Sequence, residues 1–369
     1  MRCEELKIGI INYPTFGGSG IVGTELGLKL MERGHEVHFI SYQLPERLKL
    51  EEKFIFHEVN ILSYPLFKFK PYTIVLASLL AKLQKEEKMD VFHAHYAIPH
   101  SVSLQLAKLT DPNTKIISTL HGSDIHLLGL DDAYKPILET SLNSHDALTT
   151  VSHFMTKFIG EHYNINKDIQ VIYNFVDPEK FSHIKKPEKE EIVLSHVSNF
   201  RQVKRSPDII KAFAQVIEKH QNVRLEMIGE GPELEYCRDL AITMGLKDKI
   251  TFRGSLLNVP RVLCFTDIFL IPSAIESFGL AALEAMSCKI PVISSNAGGL
   301  PEVNVHEKTG FVVETGDVDD LARRILILVE DEKLRKKFGE EASRIAQEKF
   351  HPDIIVPQYE ELYKKVLEK

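Results

Sequence analysis

Short apolar runs recur along the chain, each closed by a polar or glycine-containing turn and followed by an amphipathic stretch. Residues 7–12 (KIGIIN), 36–40 (EVHFI), 54–60, 90–95 (DVFHAH), 115–120 (KIISTL), 145–151 (HDALTTV) and 169–172 read as strands. Helical patterns lie between them, running to about residue 33 and over 73–88 and 152–163. Continuous apolar strands alternating with helices predict a parallel sheet covered on both faces. The stretch 182–191 (SHIKKPEKEE) breaks the pattern with charge and a proline and reads as a linker. The alternation then restarts with strands at 192–197, 223–228, 250–252, from 269, at 291–294 and at 309–313. At the end, Ile354, Ile355, Tyr359, Leu362, Tyr363 and Val366 form one stripe on a helix over 353–367, and so wide an apolar face must dock. The expected organisation is two doubly wound α/β domains, 1–178 and 179–352, with a terminal helix, 353–369, returning to the first.

Composition narrows the partners. A chain of 369 residues, 44% hydrophobic, is long enough for two cores. A net charge of −7 without a lysine or arginine block argues against nucleic acid, so an anionic substrate would need a local basic cluster. The four cysteines, Cys3, Cys237, Cys264 and Cys288, are scattered without metal-ligand spacing, which fits a reducing compartment. With neither a secretory leader nor an apolar run long enough to span a bilayer, a soluble cytoplasmic protein is expected.

Candidate chemistry concentrates at strand ends. In FLIPSAIESFGLAALEAMSCKIPVISSNAGGLPE, residues 269–302, a strand leads through Glu276 and Phe278-Gly279-Leu280 into a small-residue helix carrying Glu284, then a second strand closes on Gly298-Gly299. The backbone N–H groups of Gly279 and Leu280 at a helix start suit a phosphate, and Glu276 and Glu284 suit vicinal hydroxyls. Together these features point to a nucleotide sugar. The loop Ser198-Asn199-Phe200-Arg201-Gln202-Val203-Lys204-Arg205 is the concentrated basic segment near a strand end, suited to phosphate or carboxylate. Gly229-Glu230-Gly231-Pro232 and the turn through Leu256 could offer backbone groups to a base.

In the first half, Gly18, Gly20 and Gly23 fit G-x-G-x-x-G after a strand, but the next strand ends in Ser41-Tyr42 with no acid for an adenosine ribose. A nicotinamide cofactor is therefore a remote alternative, and a glycine-rich helix start meeting a phosphate or sugar is preferred. His121 follows a strand and is placed to exchange a proton with a substrate near neutral pH. His93 and His95 lack further ligands for a metal. The pair Asp317 and Asp319 could hold a metal diphosphate, although a helix cap is the better reading. The basic, aromatic stretch 63–72 (SYPLFKFKPY), with Lys68 and Lys70, could meet an anionic ligand or a membrane surface, but a solvated loop with two packed phenylalanines is the better reading.

The whole chain resembles GT-B glycosyltransferases of the retaining family 4. In the carboxyl half the resemblance rests on Glu276 and Glu284 in E-x7-E, Lys204, the G-E-G-P turn and Gly298-Gly299-Leu300-Pro301-Glu302. The strings YPTFGGSGIVGTELG, FHAHYAIPHS, TLHGSDI and SHVSNFRQVKR are similar to the branch of bacillithiol biosynthesis that transfers N-acetylglucosamine from UDP-N-acetylglucosamine to L-malate. The resemblance implies two Rossmann-like domains facing a cleft and retention by front-face attack, without an obligatory metal or other cofactor. It implies that Lys204 and Arg201 hold the diphosphate, Glu276 and the 278–280 backbone the sugar, and Glu284 the uridine ribose. Gly231 and Leu256 would line the donor site, Gly18 would approach the β-phosphate, and His121 would contact the sugar. Tyr96, Thr119, Asn174 and Arg201 are the implied acceptor residues. One departure is Asn199, where many members carry arginine, with Arg201 expected to compensate. A family 4 enzyme with a lipid, polysaccharide or other acceptor is the alternative, and a homodimer remains possible.

Overall fold

The computed structural model describes residues 5–15, 18–48, 54–62, 64–181, 191–256, 259–263 and 265–369. The linker stretch 182–190, Gly17, Ser63, Cys3 and Cys264 lie outside the described residues. The chain forms two compact units, one of residues 1–174 with 353–369 and one of residues 175–352.

The first unit holds a seven-stranded sheet of β1 (Lys7–Ile11), β2 (Glu36–Ser41), β3 (Ile55–Glu58), β4 (Val91–His95), β5 (Ile116–Leu120), β6 (Ala147–Thr150) and β7 (Ile169–Val171). Its order is β3-β2-β1-β4-β5-β6-β7, parallel throughout. Both β4 and β5 are buried at every residue, the signature of a sheet covered on both faces. The order reverses direction between β1 and β4, and such a switch point leaves a crevice at the strands' carboxyl ends.

The terminal helix Pro352–Leu367 belongs to this unit and buries Ile355, Val356, Tyr359, Leu362, Tyr363 and Val366. The expected stripe is corrected at one place: Ile354 is 41% exposed, and Val356 takes its position in the core. Tyr363 Oη bonds His93 Nδ1 at 2.8 Å, which ties the helix to the centre of the sheet. Glu360, itself buried, accepts from Arg33 at 2.8 and 2.9 Å and meets His35 Nε2 at 3.1 Å.

The second unit holds a six-stranded parallel sheet of β8 (Ile192–Val197), β9 (Val223–Ile228), β10 (Ile250–Phe252), β11 (Ile268–Ile271), β12 (Val292–Ser295) and β13 (Gly310–Val313). Its order, β10-β9-β8-β11-β12-β13, switches between β8 and β11. Leu194, Phe213, Leu225, Leu270, Ile293 and Phe311 are among the residues of one core beneath the helices. The 19-residue helix Glu332–Phe350 is not apparent in the strand pattern because most of its residues are charged. Its narrow stripe of Phe338, Ala342, Ile345 and Ala346 has the helical spacing, and Asp331 caps it by accepting from Leu334 N at 2.9 Å. Cys237 and Cys288 are both buried.

Candidate functional site

In the second unit, the loops after β8 and β11 meet at the switch point. Lys204, in a short 3₁₀ turn after β8, places its Nζ 2.6 Å from Glu276 Oε2, and Ser273 Oγ donates to the same oxygen at 3.3 Å. Both charged side chains are largely shielded, at 19% and 15% exposure, so the pair is screened little by solvent. Two glycine turns brace these loops. A Cβ on Gly231 would stand 1.8 Å from Asn199 O, and one on Gly229 would stand 1.8 Å from Ser198 O. Their close approach holds the 198–200 turn, where Phe200 is fully buried at φ 40°, a conformation uncommon for a residue with a Cβ. Likewise a Cβ on Gly298 would stand 2.0 Å from Glu276 O, and Gly299 N donates to that oxygen at 2.8 Å. Glycine is therefore required there to seat the backbone of Glu276.

The basic loop divides its charges. Arg205 pairs with Asp208 at 2.5 Å in the first turn of the following helix, so the helix dipole meets an acid beside the cation. Arg201 is exposed and has no ion-pair partner among the described residues. Gly279, at φ 98°, precedes the helix Leu280–Ser287, and the Leu300 side chain packs against its Cα. Glu284 on that helix is 7% exposed, which excludes a freely solvated carboxylate. Phe278 is buried against Phe350, so its ring serves packing rather than a ligand. Leu256 is partly exposed in the loop after β10. Asp317 caps the helix Val318–Glu330 by accepting from Asp320 N at 2.8 Å, and Asp319 accepts from Gln215 Nε2 at 2.8 Å, so this D-x-D serves local structure.

In the first unit, the loops after β1, β4 and β5 converge. Gly18 begins the helix Gly18–Glu32 and is exposed, and a Cβ there would meet nothing within 4 Å. By contrast a Cβ on Gly20 would stand 2.4 Å from Tyr13 O, and one on Gly23 would stand 3.0 Å from His95 Cγ. Packing explains the later two glycines and leaves Gly18 unexplained by the fold. His95 Nδ1 and His121 Nε2 are 3.0 Å apart. Burial lowers the pKa of His121 to about 3, so its ring is neutral near pH 7. That corrects the expectation of a histidine exchanging protons near neutrality.

Tyr96, at φ 90°, bonds Ser123 Oγ through its hydroxyl at 2.9 Å. Asn174 is buried, and its Oδ1 has no hydrogen-bond partner among the described residues. Thr119, expected in an acceptor pocket, is instead fully buried, its hydroxyl 2.7 Å from His93 Nε2 and 2.6 Å from Thr149 Oγ1. It lies on a strand covered on both faces, where its hydroxyl is taken up by His93 and Thr149 rather than facing a ligand. Asp124 was missed by sequence reasoning. Its buried carboxylate accepts from the backbone N–H groups of Ala97, Gly122 and His121 at 2.8, 2.6 and 3.3 Å, clasping the β4 and β5 turns together. Burial raises its pKa against the opposing effect of those donors. An acid three residues after the strand-end histidine is the signal that would have found it.

Among the described residues, Glu36, His38 and Glu87 are close enough to share a metal ion. Lys7 Nζ already lies 2.9 Å from Glu36 and 3.5 Å from Glu87, so an ammonium supplies the cation. Among the described residues no helix is long and apolar enough to cross a membrane.

Two parallel sheets in two units, each with polar and charged side chains gathered at its strand ends, define the architecture to which the family comparisons apply. Residues 16–180 match the family model of Glycosyltransferase Family 4, and residues 176–345 match that of Glycosyl transferases group 1. The chain belongs to glycosyltransferase family 4, has the GT-B fold and is a glycosyltransferase. It is 41% identical to the N-acetyl-alpha-D-glucosaminyl L-malate synthase of Bacillus anthracis, over 98% of each chain. Among solved structures it resembles a glycosyltransferase from Rickettsia africae, with a TM-score of 0.79 and 22% identity over 99% of both chains. It also resembles Anabaena HepE in complex with UDP and glucose, with a TM-score of 0.81 and 19% identity over 98% of this chain and 100% of that one.

Proposed function

We propose that the protein transfers N-acetylglucosamine from UDP-N-acetylglucosamine to the hydroxyl of L-malate, with retention at the anomeric carbon. The observation that carries this reading is the 41% identity to the Bacillus anthracis enzyme along nearly the full length of both chains. A match of that extent takes in the strand-end loops of both units, where donor and acceptor chemistry resides.

On this reading Lys204 and Arg201 stabilise the diphosphate, and Glu276 with the 278–280 backbone holds the sugar. Glu284 receives the ribose hydroxyls, with Gly231 and Leu256 beside the nucleotide. Gly18 admits the β-phosphate, since the fold makes no steric demand for glycine there. Tyr96, Asn174 and Arg201 serve the acceptor, and Thr119 acts through His93. The malate hydroxyl oxygen attacks the anomeric carbon on the face from which the diphosphate departs. The bond from that carbon to the diphosphate breaks, and the departing oxygen takes the hydroxyl proton. Fixed positive charge beside the leaving group then does most of the catalysis, with protein cations in place of a metal.

The test is UDP release from UDP-N-acetylglucosamine against a panel of small hydroxy acids and polyols. Release that depends on L-malate is expected, and release that ignores malate while responding to another acceptor would sink the assignment.

A second reading, a lipid acceptor, is favoured by one surface. Leu62, Leu66, Phe67 and Phe69 are each more than half exposed beside Lys68 and Lys70. Cosedimentation with anionic vesicles would support it, and absence of binding at low salt would remove it.

A further inference from the structure

The strand-end histidines of the first unit constrain each other's protons. A neutral imidazole carries one N–H, so only one ring can donate across the 3.0 Å contact between His95 Nδ1 and His121 Nε2. The other nitrogen of His95, Nε2, is buried and has no hydrogen-bond partner among the described residues. Were the His95 proton on Nε2, a buried N–H would be orphaned. With the proton on Nδ1, only a lone pair is left unmatched, and His95 donates to His121. Buried donors without partners are rarer and costlier than unmatched acceptors.

The ring has little freedom to escape this choice. His95 packs against Gly23, where an added Cβ would stand 3.0 Å from its Cγ, and against His93, with ring centroids 4.3 Å apart. Turning the ring over would also set a carbon against His121 Nε2. Since His121 Nε2 accepts, the His121 proton sits on Nδ1, and the ring makes no further hydrogen bond among the described residues. Burial keeps both rings uncharged near neutral pH.

We propose that His95 is a positioning residue that fixes His121 as the Nδ1–H tautomer, so that His121 offers a hydrogen-bond donor to a substrate oxygen and cannot serve as a base. The proposal rests on the reading of His121 as a residue that meets substrate. It deepens that reading by forcing the acceptor's proton to leave elsewhere, onto the departing diphosphate oxygen.

Two-bond ¹H–¹⁵N correlation spectra of the full chain, ring-labelled at histidine and assigned with His121→Asn, read the tautomer directly. His121 should show a protonated Nδ1 and a bare Nε2 at pH 7. His95→Asn, whose amide N–H takes the place of Nδ1–H, should preserve that pattern and keep kcat within a few-fold. His95→Leu should leave His121 in mixed tautomers and lower kcat about tenfold, the loss of one hydrogen bond, with the donor KM little changed. A wild-type His121 protonated on Nε2 overturns the proposal, as does a His95→Leu variant with unchanged tautomer and kcat. Should His95→Leu not fold, the wild-type spectrum alone decides. An Nδ1–H spectrum in a chain that releases no UDP with malate would leave the tautomer standing while the proposed acceptor fell.

Discussion

Lys204 Nζ and Glu276 Oε2 stand 2.6 Å apart although the residues are 72 positions apart in the chain. Neighbouring strands β8 and β11 bring them together at the switch point of the second sheet. A cation and an anion from separate loops are thus mutually oriented and largely shielded from solvent, and the proposed function has a ligand part them. The diphosphate would take over the ammonium, and sugar hydroxyls would take over the carboxylate.

Replacing Lys204 by Ala should lower kcat by about 10²–10³, the usual loss when one preorganised charge at a developing anion is removed. Folding should change little, because the side chain lies in a loop outside the core. UDP release and a thermal melt on the same preparation check both parts, and turnover within a few-fold of wild type would overturn the role given to Lys204.

Arg201 and Arg205 should separate cleanly. Arg205 is committed to Asp208, whereas Arg201 has no ion-pair partner among the described residues. Arg201→Ala is expected to raise the malate KM or lower kcat at least tenfold with an unchanged melting temperature. Arg205→Ala should instead lower the melting temperature by a few degrees, roughly 1 kcal/mol, at the start of its helix. Steady-state kinetics beside calorimetry distinguishes the two, and equal effects would contradict the division.

The glycines of the first turn offer a control within one helix. Gly18→Ala should fold normally and bind UDP-sugar more weakly, since the added methyl meets open space in the free protein. Gly20→Ala should be destabilised by about 1–3 kcal/mol, because its Cβ would stand 2.4 Å from Tyr13 O. Titration calorimetry with UDP and denaturant melts provide the two readouts. Unaltered UDP affinity in Gly18→Ala would remove Gly18 from the site.

The terminal helix should carry a pH signature. Burial alone would raise the Glu360 pKa, but hydrogen bonds and charge from Arg33 and His35 outweigh it and hold the value below the ordinary one. A depressed carboxylate pKa stabilises the fold fully above the unfolded value of about 4.3 and ceases to do so as pH falls through the folded value. Glu360→Gln should therefore melt lower than wild type at pH 7, with the gap closing as pH falls below the unfolded value of about 4.3. Parallel melting curves across that range would refute the assignment.

The sequence by itself determined the two parallel α/β units, because continuous apolar strands alternating with helices have few other ways to bury both faces. Strands at 192–197, 223–228 and 250–252 were legible to the residue, since each stops at a glycine, serine or arginine turn. The helix Glu332–Phe350 was not, because its buried stripe is thin and its charges dominate. Glu276, Lys204, Gly18 and His121 could be singled out one by one from their strand-end settings. Which of them touch was decided only by the tertiary structure. Strand order sets Lys204 on Glu276, β4 and β5 set His95 on His121, and the pairing of Thr119 with His93 takes its hydroxyl out of reach of a ligand. A linear pattern records which residues can bear chemistry. Contacts between distant segments, and the proton positions and burial they impose, arise only when the sheet brings those segments side by side.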